Sequence, residues 1–146
     1  LFKLERPKDF NINAAVTDFD GDTIFYETGM INQQNSLIKN DSNKKTKVRA
    51  YKLNTLLNEL NIKKIDFLNI DAEGNDFKVI SSFDFMKYRP KLISIEQNIY
   101  NLNELLNEDC HQLIIKNDYF LASKIGVTCI YVDKKYEETF QSTMSV

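Results

Sequence analysis

Carboxylate side chains follow three apolar segments of this sequence, and carboxylates can act as general bases or bind cations. Asp18 follows INAAVT, Asp71 and Glu73 follow IDFLNI, and Glu96 follows KLISI. If these segments are strands of an open α/β sheet, ligands bind beyond their carboxyl ends. Adjacent strands would bring the carboxylates to one rim of the sheet. There they could deprotonate a hydroxyl, ligate a metal ion or hold a cationic group.

The turn that contains Asp71 and Glu73 also has a purely structural interpretation. It precedes a segment, Asn75 to Phe85, that we predict to be a helix, and acidic side chains stabilise the positive end of a helix dipole. Asn75 is a residue type that caps helices, and Gly74 lets the chain turn sharply. Spacing alone does not separate a capping role from a functional one.

The pattern of apolar residues predicts a sheet that would hold this turn. Short runs rich in β-branched and aromatic residues predict strands, and leucines at helical spacing predict a helix from Leu53 to Leu60. The predicted strands are Ile12 to Thr17, Thr23 to Tyr26, Val48 to Tyr51, Ile65 to Ile70, Lys91 to Ile95, Tyr119 to Ile125 and Thr128 to Val132. Strands and helices alternate before a final strand pair, which predicts an α/β fold with crossover helices.

Several connecting segments carry their own expectations. Asp18 to Asp22, DFDGD, predicts a turn, so we expect its flanking strands to pair as a hairpin. Ile65 to Ile70 is mostly apolar, which is typical of a parallel strand buried on both faces. Gly29 to Lys47 is polar, which predicts a loop. We expect this loop to determine substrate specificity. We interpret the basic run from Lys44 to Arg49 as part of a solvated loop rather than a phosphate site.

Helical segments follow the turn. In the helix predicted from Asn75 to Phe85, the core stripe would consist of Phe77, Ile80 and Phe83. A second helix is predicted from Asn101 to Asn107, because Asn101 and Glu104 have the spacing of a capping box. The polar tail from Lys134 onward is predicted to be frayed.

Length, charge and cysteine content narrow the class of protein. The chain has 146 residues, the size of one domain, and a net charge of −2, which gives no field that attracts nucleic acid or a membrane surface. Cys110 and Cys129 lack metal-ligand spacing and indicate a reducing compartment. No apolar run approaches the ~18 residues of a membrane span. We therefore expect a cytoplasmic protein without a nucleic-acid or membrane partner.

Isolated side chains of other reactive types are interpreted as structural. His111 is the only histidine, and we expect it to follow a helix and to have a packing or surface role. Cys110 and Cys129 are expected in the core. Four tyrosines are expected to pack against other residues, although each could instead line a substrate pocket: Tyr26, Tyr100, Tyr119 and Tyr131.

The stretch from Val48 to Glu96, VRAYKLNTLLNELNIKKIDFLNIDAEGNDFKVISSFDFMKYRPKLISIE, resembles the FkbM-family methyltransferases. In that family, a Thr-Leu-rich strand and helix precede a Lys-Ile-Asp strand that ends in Asp-x-Glu-Gly. A helix with an acidic start and a Pro-x-[Ile/Leu/Val]…Glu strand follow, and each part is present here. The flanking ERPKDFNINAAVTDFDGDTIFYE and NDYFLASKIGVTCIYVD are also similar, so the resemblance extends to about Lys135.

The resemblance implies a fold and an activity. The fold is a Rossmann-like class I methyltransferase sheet, mostly parallel, with an antiparallel terminal strand pair. The cofactor is S-adenosylmethionine. The implied reaction is O-methylation of a hydroxyl on a sugar or secondary metabolite, so the expected partner is a small-molecule or glycan acceptor.

The resemblance also implies roles for individual residues. Thr17 and Asp18 would contact the adenine of the cofactor, with simple turn chemistry as the alternative for Asp18. Asp71 would lie next to the transferable methyl group, where it would both bind the cofactor and take part in catalysis. Glu73 would face the acceptor or the cofactor. Glu96, together with Asp71, would deprotonate an acceptor hydroxyl or hold a divalent ion that does so, although we do not expect a metal ion.

This sequence departs from the family pattern in one respect. Family members begin with a strand and an Asp-x-Gly-Ala-like loop for the amino-acid part of the cofactor, and a second strand ends in a Glu-Pro that grips the ribose. Neither motif is present. We therefore expect a partial methyltransferase domain over residues 1–135, a polar tail over residues 136–146, and little cofactor binding or turnover by this stretch alone. The alternative is a non-catalytic α/β interaction module that retains the fold without the cofactor loop.

Overall fold

Two β-sheets and their flanking helices make up the structure, a computed structural model that describes residues 2–27, Leu37 and residues 44–144. The first sheet has the strand order β1-β3-β2 and the second has the order β4-β5-β7-β6. The strands are β1 (Ala15–Thr17), β2 (Gly21–Glu27), β3 (Lys44–Lys52), β4 (Phe67–Ile70), β5 (Leu92–Glu96), β6 (Tyr119–Ile125) and β7 (Thr128–Asp133). The helices are α1 (Phe2–Glu5), α2 (Leu53–Glu59), α3 (Asp76–Ser81), α4 (Phe85–Tyr88), α5 (Leu102–Leu105), α6 (Asp109–Lys116), a 3-10 turn (Lys134–Tyr136) and α7 (Glu137–Met144).

The mixed α/β class predicted from the sequence is confirmed, and so is the antiparallel terminal strand pair, β6 and β7. The expectation of a mostly parallel sheet is not met in the described residues. Parallel pairing occurs between β1 and β3 and between β4 and β5. The pairs β2–β3, β5–β7 and β6–β7 are antiparallel.

The predicted hairpin between the first two strands is wrong. Both β1 and β2 pair with β3, which lies between them, so Ala15 and Gly21 are both register partners of Ala50. A carboxylate fixes this arrangement. Asp20 accepts hydrogen bonds of 2.9 Å from the backbone N–H of Lys52 and from the Thr55 hydroxyl, which ties the turn after β1 to the start of α2.

The basic run predicted to be a loop is instead part of β3, which begins at Lys44. The side chains of residues 44–47 are all exposed, so both faces of this part of the strand are open to solvent. Backbone pairing with β2 holds the strand there, and the run lacks the alternation of apolar and polar residues that is used to predict strands. Residues 28–36 and 38–43 of the predicted loop lie outside the described residues.

The strand β4 is not buried on both faces, as its apolar sequence predicted. Phe67 is 57% exposed, whereas Ile70 at the other end is buried. Within the described residues, β4 pairs only with β5 and is the last strand of its sheet. An edge position leaves part of an apolar strand in contact with solvent, which the sequence pattern cannot reveal.

The single helix predicted after Gly74 is divided in two. α3 ends at Ser81, and α4 begins after Asp84, whose carboxylate accepts hydrogen bonds from the backbone N–H groups of Met86 and Lys87. Ile80 and Phe83 are buried as predicted, but Phe77 is not, because α3 turns it toward solvent.

The C-terminal part contains more helix than predicted. α5 is shorter than the predicted segment, with Asn101 as its capping residue. α6 was not predicted, and His111 lies within it rather than after a helix. The polar tail after Asp133 forms the 3-10 turn and α7. No helix of the described residues combines the length and the apolar character needed to cross a bilayer.

The hydrophobic core lies between the second sheet and helices α3 to α6. Cys110 and Cys129 are buried in it, as predicted. Tyr119 and Tyr131 are also buried, whereas Tyr100 is 81% exposed, contrary to prediction. The core members with the least exposure are Ile80, Ile93, Ile95, Leu105, Ile114, Tyr119, Cys129 and Tyr131.

Candidate active site

Asp71 and Glu96 lie side by side at the carboxyl ends of β4 and β5. The two strands are parallel, with Ile70 opposite Ile95, so Asp71, which follows β4, and Glu96, the last residue of β5, reach the same rim. The two carboxyl groups are close enough for the charge of Asp71 to act on Glu96. The sequence prediction that these acidic residues meet at one edge is thus confirmed for this pair.

The surroundings of Glu96 favour its protonated form. Its pKa is raised above the ordinary value, first because the carboxyl group is partly buried. The negative charge and hydrogen bond of Asp71, together with the charges of Glu73 and Asp76, raise the pKa further. A carboxylate that loses its proton at a higher pH is a stronger base, which is the property a general base requires.

The backbone of the turn after β4 is held by Asp76, the first residue of α3. Its carboxylate accepts hydrogen bonds from the backbone N–H of Ala72 at 3.0 Å and of Gly74 at 3.1 Å. Asp76 therefore holds the turn in shape, whereas the side chains of Asp71 and Glu73 are exposed to solvent. The available signal was the presence of an acidic residue at the first position of α3.

Glu73 and Gly74 give the turn its shape. Both have positive φ angles, 47° for Glu73 and 87° for Gly74. Glycine adopts this region freely, but a residue with a side chain is uncommon there and is held by its surroundings. Such strained positions cluster at functional sites. The geometry places the Glu73 carboxylate close enough to act on the pKa of Glu96.

Asn75 connects the turn to the first sheet. The sequence predicted that its side chain would cap α3, and this is wrong: the side chain makes no capping hydrogen bond. Its Nδ2 atom instead donates a hydrogen bond of 2.9 Å to the carbonyl oxygen of Val16 in β1. Asn75 is buried, so the bond is shielded from water and fixes the end of β1 next to the Asp71 turn.

Thr17 and Asp18, the other predicted site residues, lie at the end of β1. Thr17 is buried, and its hydroxyl donates a hydrogen bond of 3.2 Å to Asp18 Oδ1. Asp18 is exposed. The connection between this strand end and the Asp71 turn runs through Asn75 and Val16. The structure thus places the five predicted residues near the ends of three strands, β1, β4 and β5, with Thr17 bonded to Asp18 and with Asp71 beside Glu96.

Two cavities adjoin Asp71 on the side of β1. They have volumes of about 280 Å³ and about 250 Å³, and their walls are mostly apolar. The first is lined by Val16, Leu53, Leu68, Asn69, Ile70, Asp71, Ala72 and Val79. The second is lined by Ala15, Val16, Phe25, Leu37, Asp71, Ala72, Glu73 and Asn75. Asp71 provides a carboxylate in each.

A third cavity, here called the β5 pocket, adjoins Glu96. It has a volume of about 170 Å³ and is lined by Gly74, Asp76, Phe77, Glu96, Gln97, Asn98, Ile99, Glu108 and Cys110. The two carboxyl groups therefore border different cavities: Asp71 lies in the walls of the first two, and Glu96 lies in the wall of the third. No group of three or more His, Cys, Asp or Glu side chains in the described residues is arranged to hold a metal ion.

Comparison with known proteins gives one match. The model of a family described as the methyltransferase FkbM domain matches residues 1–120 of this chain. No curated protein matches the sequence, and no solved structure matches it. The matched residues include the ends of β1, β4 and β5, and therefore the Asp71 turn and Glu96.

Proposed function

The chain belongs to the FkbM methyltransferase domain family, and from this membership we propose that it takes part in S-adenosylmethionine-dependent O-methylation of a hydroxyl group. Membership of this family indicates that the activity is methyl transfer. We further propose that the acceptor is a sugar or a secondary metabolite and that the carboxyl pair Asp71–Glu96 is the base.

The observation that carries this proposal is the position of Asp71 and Glu96 at the carboxyl ends of two paired parallel strands, together with the raised pKa of Glu96. An alcohol is a weak nucleophile until its proton is removed. Burial and the nearby negative charge of Asp71 oppose ionisation of Glu96, so Glu96 retains its proton to a higher pH than an isolated glutamate would. Once ionised, Glu96 is suited to accept the hydroxyl proton.

The cavities beside Asp71 fit parts of the implied cofactor. Apolar walls from Val16, Leu68 and Ile70 suit an adenosine moiety, and the Asp71 carboxylate suits a neighbouring sulfonium cation. When bound, S-adenosylmethionine supplies an electrophilic methyl group on positively charged sulfur. Contacts of Thr17 and Asp18 with the adenine remain a prediction, since Thr17 is buried and its hydroxyl already bonds to Asp18.

The residues of this chain would then have separate tasks. The Asp71–Glu96 pair accepts the proton of the acceptor hydroxyl as the new oxygen–carbon bond forms and the sulfur–carbon bond breaks. Asp76 and Gly74 hold the turn in shape, and Asn75 fixes it to β1. Transfer of a methyl group from sulfonium requires mainly that donor and acceptor be aligned, and a rigid turn contributes to that alignment.

The proposal is tested with S-adenosylmethionine labelled in its methyl group. Because little turnover is expected of this stretch alone, the full-length product of the reading frame, including any segment that precedes residue 1, is incubated with a panel of hydroxyl-bearing acceptors. Label in the products is measured for the original protein and for Asp71→Ala and Glu96→Gln. We expect each variant to lower the rate by about 10²- to 10⁴-fold, the usual contribution of a general base.

A matched control is Asp66→Asn, which removes a carboxylate at the opposite end of β4, where it forms ion pairs with Lys64 and Lys91. This variant should retain the original rate. Unchanged turnover in Asp71→Ala would remove Asp71 from the mechanism. A folded protein that labels no acceptor would instead support a non-catalytic module that retains the fold.

A further inference from the structure

The β5 pocket differs in chemistry from the cavities beside Asp71. Three of its lining residues carry carboxylates, Asp76, Glu96 and Glu108, and two carry side-chain amides, Gln97 and Asn98. None of the lining residues is a lysine, arginine or histidine. The pocket therefore presents negative charge and hydrogen-bond acceptors to whatever enters it.

One of the residues that line the pocket, Gln97, has a buried polar atom without a hydrogen-bond partner in the described residues. Gln97 is only 6% exposed, and its Nε2 atom donates a hydrogen bond of 2.9 Å to the hydroxyl of Tyr131. That hydroxyl is also 3.0 Å from Nδ1 of His111, so the amide is held in place. Its Oε1 atom has no hydrogen-bond partner in the described residues. An unpaired buried acceptor costs free energy, which a donor on a bound molecule would offset.

We propose that the β5 pocket binds the methyl acceptor and that it selects acceptors carrying an amine, such as an amino sugar, over neutral and anionic acceptors. This inference rests on the proposed methyl transfer, because it is Glu96 that connects the pocket to the carboxyl pair. An ammonium group would lie among the carboxylates of Asp76 and Glu108. A hydroxyl of the same molecule would lie at Glu96.

Two further features fit an amine-bearing polyol. The Phe77 side chain is 44% exposed and forms part of the pocket, so its ring offers an apolar face to a sugar ring and a favourable site for a cation. Phosphate and carboxylate groups would meet like charge without a compensating cation in the pocket wall. Like charges in a partly desolvated site repel strongly, which disfavours anionic acceptors.

The test compares three sugars that share one ring and differ in charge: glucosamine, glucose and glucuronate. Their binding to the protein is measured at low ionic strength by NMR titration, with the backbone resonances of Phe77 and Gln97 as markers of the pocket. We expect affinity to decrease in the order glucosamine, glucose, glucuronate, with shifts at both markers. Equal or tighter binding of glucuronate, or no binding of any of the three, would overturn the proposal.

Charge reversal at the pocket supplies the second measurement. Glu108 is exposed and its side chain makes no capping bond to α6, so Glu108→Lys should fold. It should weaken glucosamine binding by about threefold to tenfold, the scale of one charge interaction at a partly exposed site. The control is Glu59→Lys, the same charge change at the end of α2, outside the pocket. Equal effects of the two variants would show that only net charge matters and would overturn the pocket assignment.

Failure of this inference can be told apart from failure of the proposed function. If glucosamine binds as expected but no acceptor receives labelled methyl, the proposed methyl transfer is wrong and this inference falls with it. If methyl transfer occurs to an acceptor that leaves Phe77 and Gln97 unperturbed, the function stands and the pocket is not the acceptor site.

Discussion

The side-chain amide of Asn75 donates a hydrogen bond of 2.9 Å to the carbonyl oxygen of Val16, although the two residues are 59 positions apart. Val16 belongs to the first sheet, and Asn75 lies at the end of the turn that contains Asp71. The bond therefore connects the two sheets at the place where the cavities beside Asp71 open. It links the position of one strand end to the geometry of the candidate active site.

Removal of this bond should weaken the fold as well as the site. Asn75→Ala leaves the Val16 carbonyl buried without its donor, and we expect a loss of about 1 to 3 kcal/mol in the free energy of unfolding. The measurement is a urea titration. Asn103→Ala, at an exposed position of α5, is the control and should change stability by less than about 0.5 kcal/mol. Equal effects of both variants would contradict a structural role for the Asn75–Val16 bond.

The pH dependence of methyl transfer should report the contact between Asp71 and Glu96. A general base works only when it is deprotonated, so activity is lost as the pH falls through the pKa of Glu96. Because the pKa of Glu96 is raised, this loss should begin at a higher pH than an ordinary glutamate would give.

Asp71→Asn removes the negative charge that contributes to the raised pKa. The residual activity of this variant should therefore decline at a lower pH than that of the original protein, which a profile of kcat/KM against pH would detect. Asp66→Asn should leave the profile in place. An acid limb that does not move in Asp71→Asn would show that the two carboxyl groups do not titrate together.

His111 should titrate below the usual range for histidine. Its imidazole is buried, and burial lowers its pKa because the charged form loses solvation. The only histidine of the sequence gives one set of imidazole resonances, so an NMR titration reads its pKa directly. A folded-state pKa below the unfolded value of about 6.5 means that stability is present above that pH and is lost as the pH falls toward the folded-state pKa.

Tyr131→Phe tests the same cluster. It removes the hydroxyl that bonds to both His111 and Gln97, so we expect a loss of about 1 to 3 kcal/mol in the free energy of unfolding. Tyr100→Phe removes a hydroxyl from an exposed tyrosine and should have little effect. A His111 pKa at or above the ordinary value would show that the ring is not buried as described.

The ion pair between Arg89 and the buried Asp133 should make the free energy of unfolding depend on pH in the acid range. Asp133 is 0% exposed, and its Oδ1 atom lies 2.9 Å from Nη2 of Arg89. Burial by itself would raise the pKa of Asp133, but the hydrogen bonds from Arg89 and Lys135 outweigh it, and the pKa is lowered. The pair thus contributes stability above the unfolded-state pKa of about 3.9, and this is lost as the pH falls through the folded-state pKa.

Arg89→Met should therefore destabilise the protein near neutral pH by about 2 kcal/mol and reduce the dependence on acid. The expected loss is less than the 3–5 kcal/mol typical of a broken buried pair, because Lys135 remains 3.2 Å from Asp133. Lys91→Met removes a cation from an exposed pair with Asp66 and should change stability by less than about 1 kcal/mol. Denaturant titrations at neutral and acid pH measure both effects. Equal losses in the two variants would contradict the importance of the buried pair.

Much of the local structure follows from the sequence. The strands β5, β6 and β7 and the helix α2 were predicted close to their observed bounds, because each has a strong apolar pattern and clear turn residues at its ends. The meeting of Asp71 and Glu96 was also predictable, since parallel neighbours end on the same edge of a sheet. These features depend on residues that are near one another in the chain or on a general rule of strand order.

The features that sequence reasoning missed depend on contacts between distant segments. β3 lies between β1 and β2 because tertiary packing, not the local sequence, determines which strands pair. Asp20 stabilises this arrangement by hydrogen bonds to Lys52 and Thr55, which are more than 30 positions away. The exposure of Phe67 follows from the edge position of β4, which no local pattern records.

The sequence by itself determined that acidic residues stand at the ends of apolar strands and that the segment from Val48 to Glu96 carries the family's motifs. Tertiary structure decided which carboxylates touch, which of them only holds the turn, and that Glu96 has a raised pKa. A pKa depends on burial and on charges brought close by folding, and hydrogen-bond partners are fixed by the packing of whole sheets. Neither the shift in pKa nor these hydrogen bonds exist until the chain has folded.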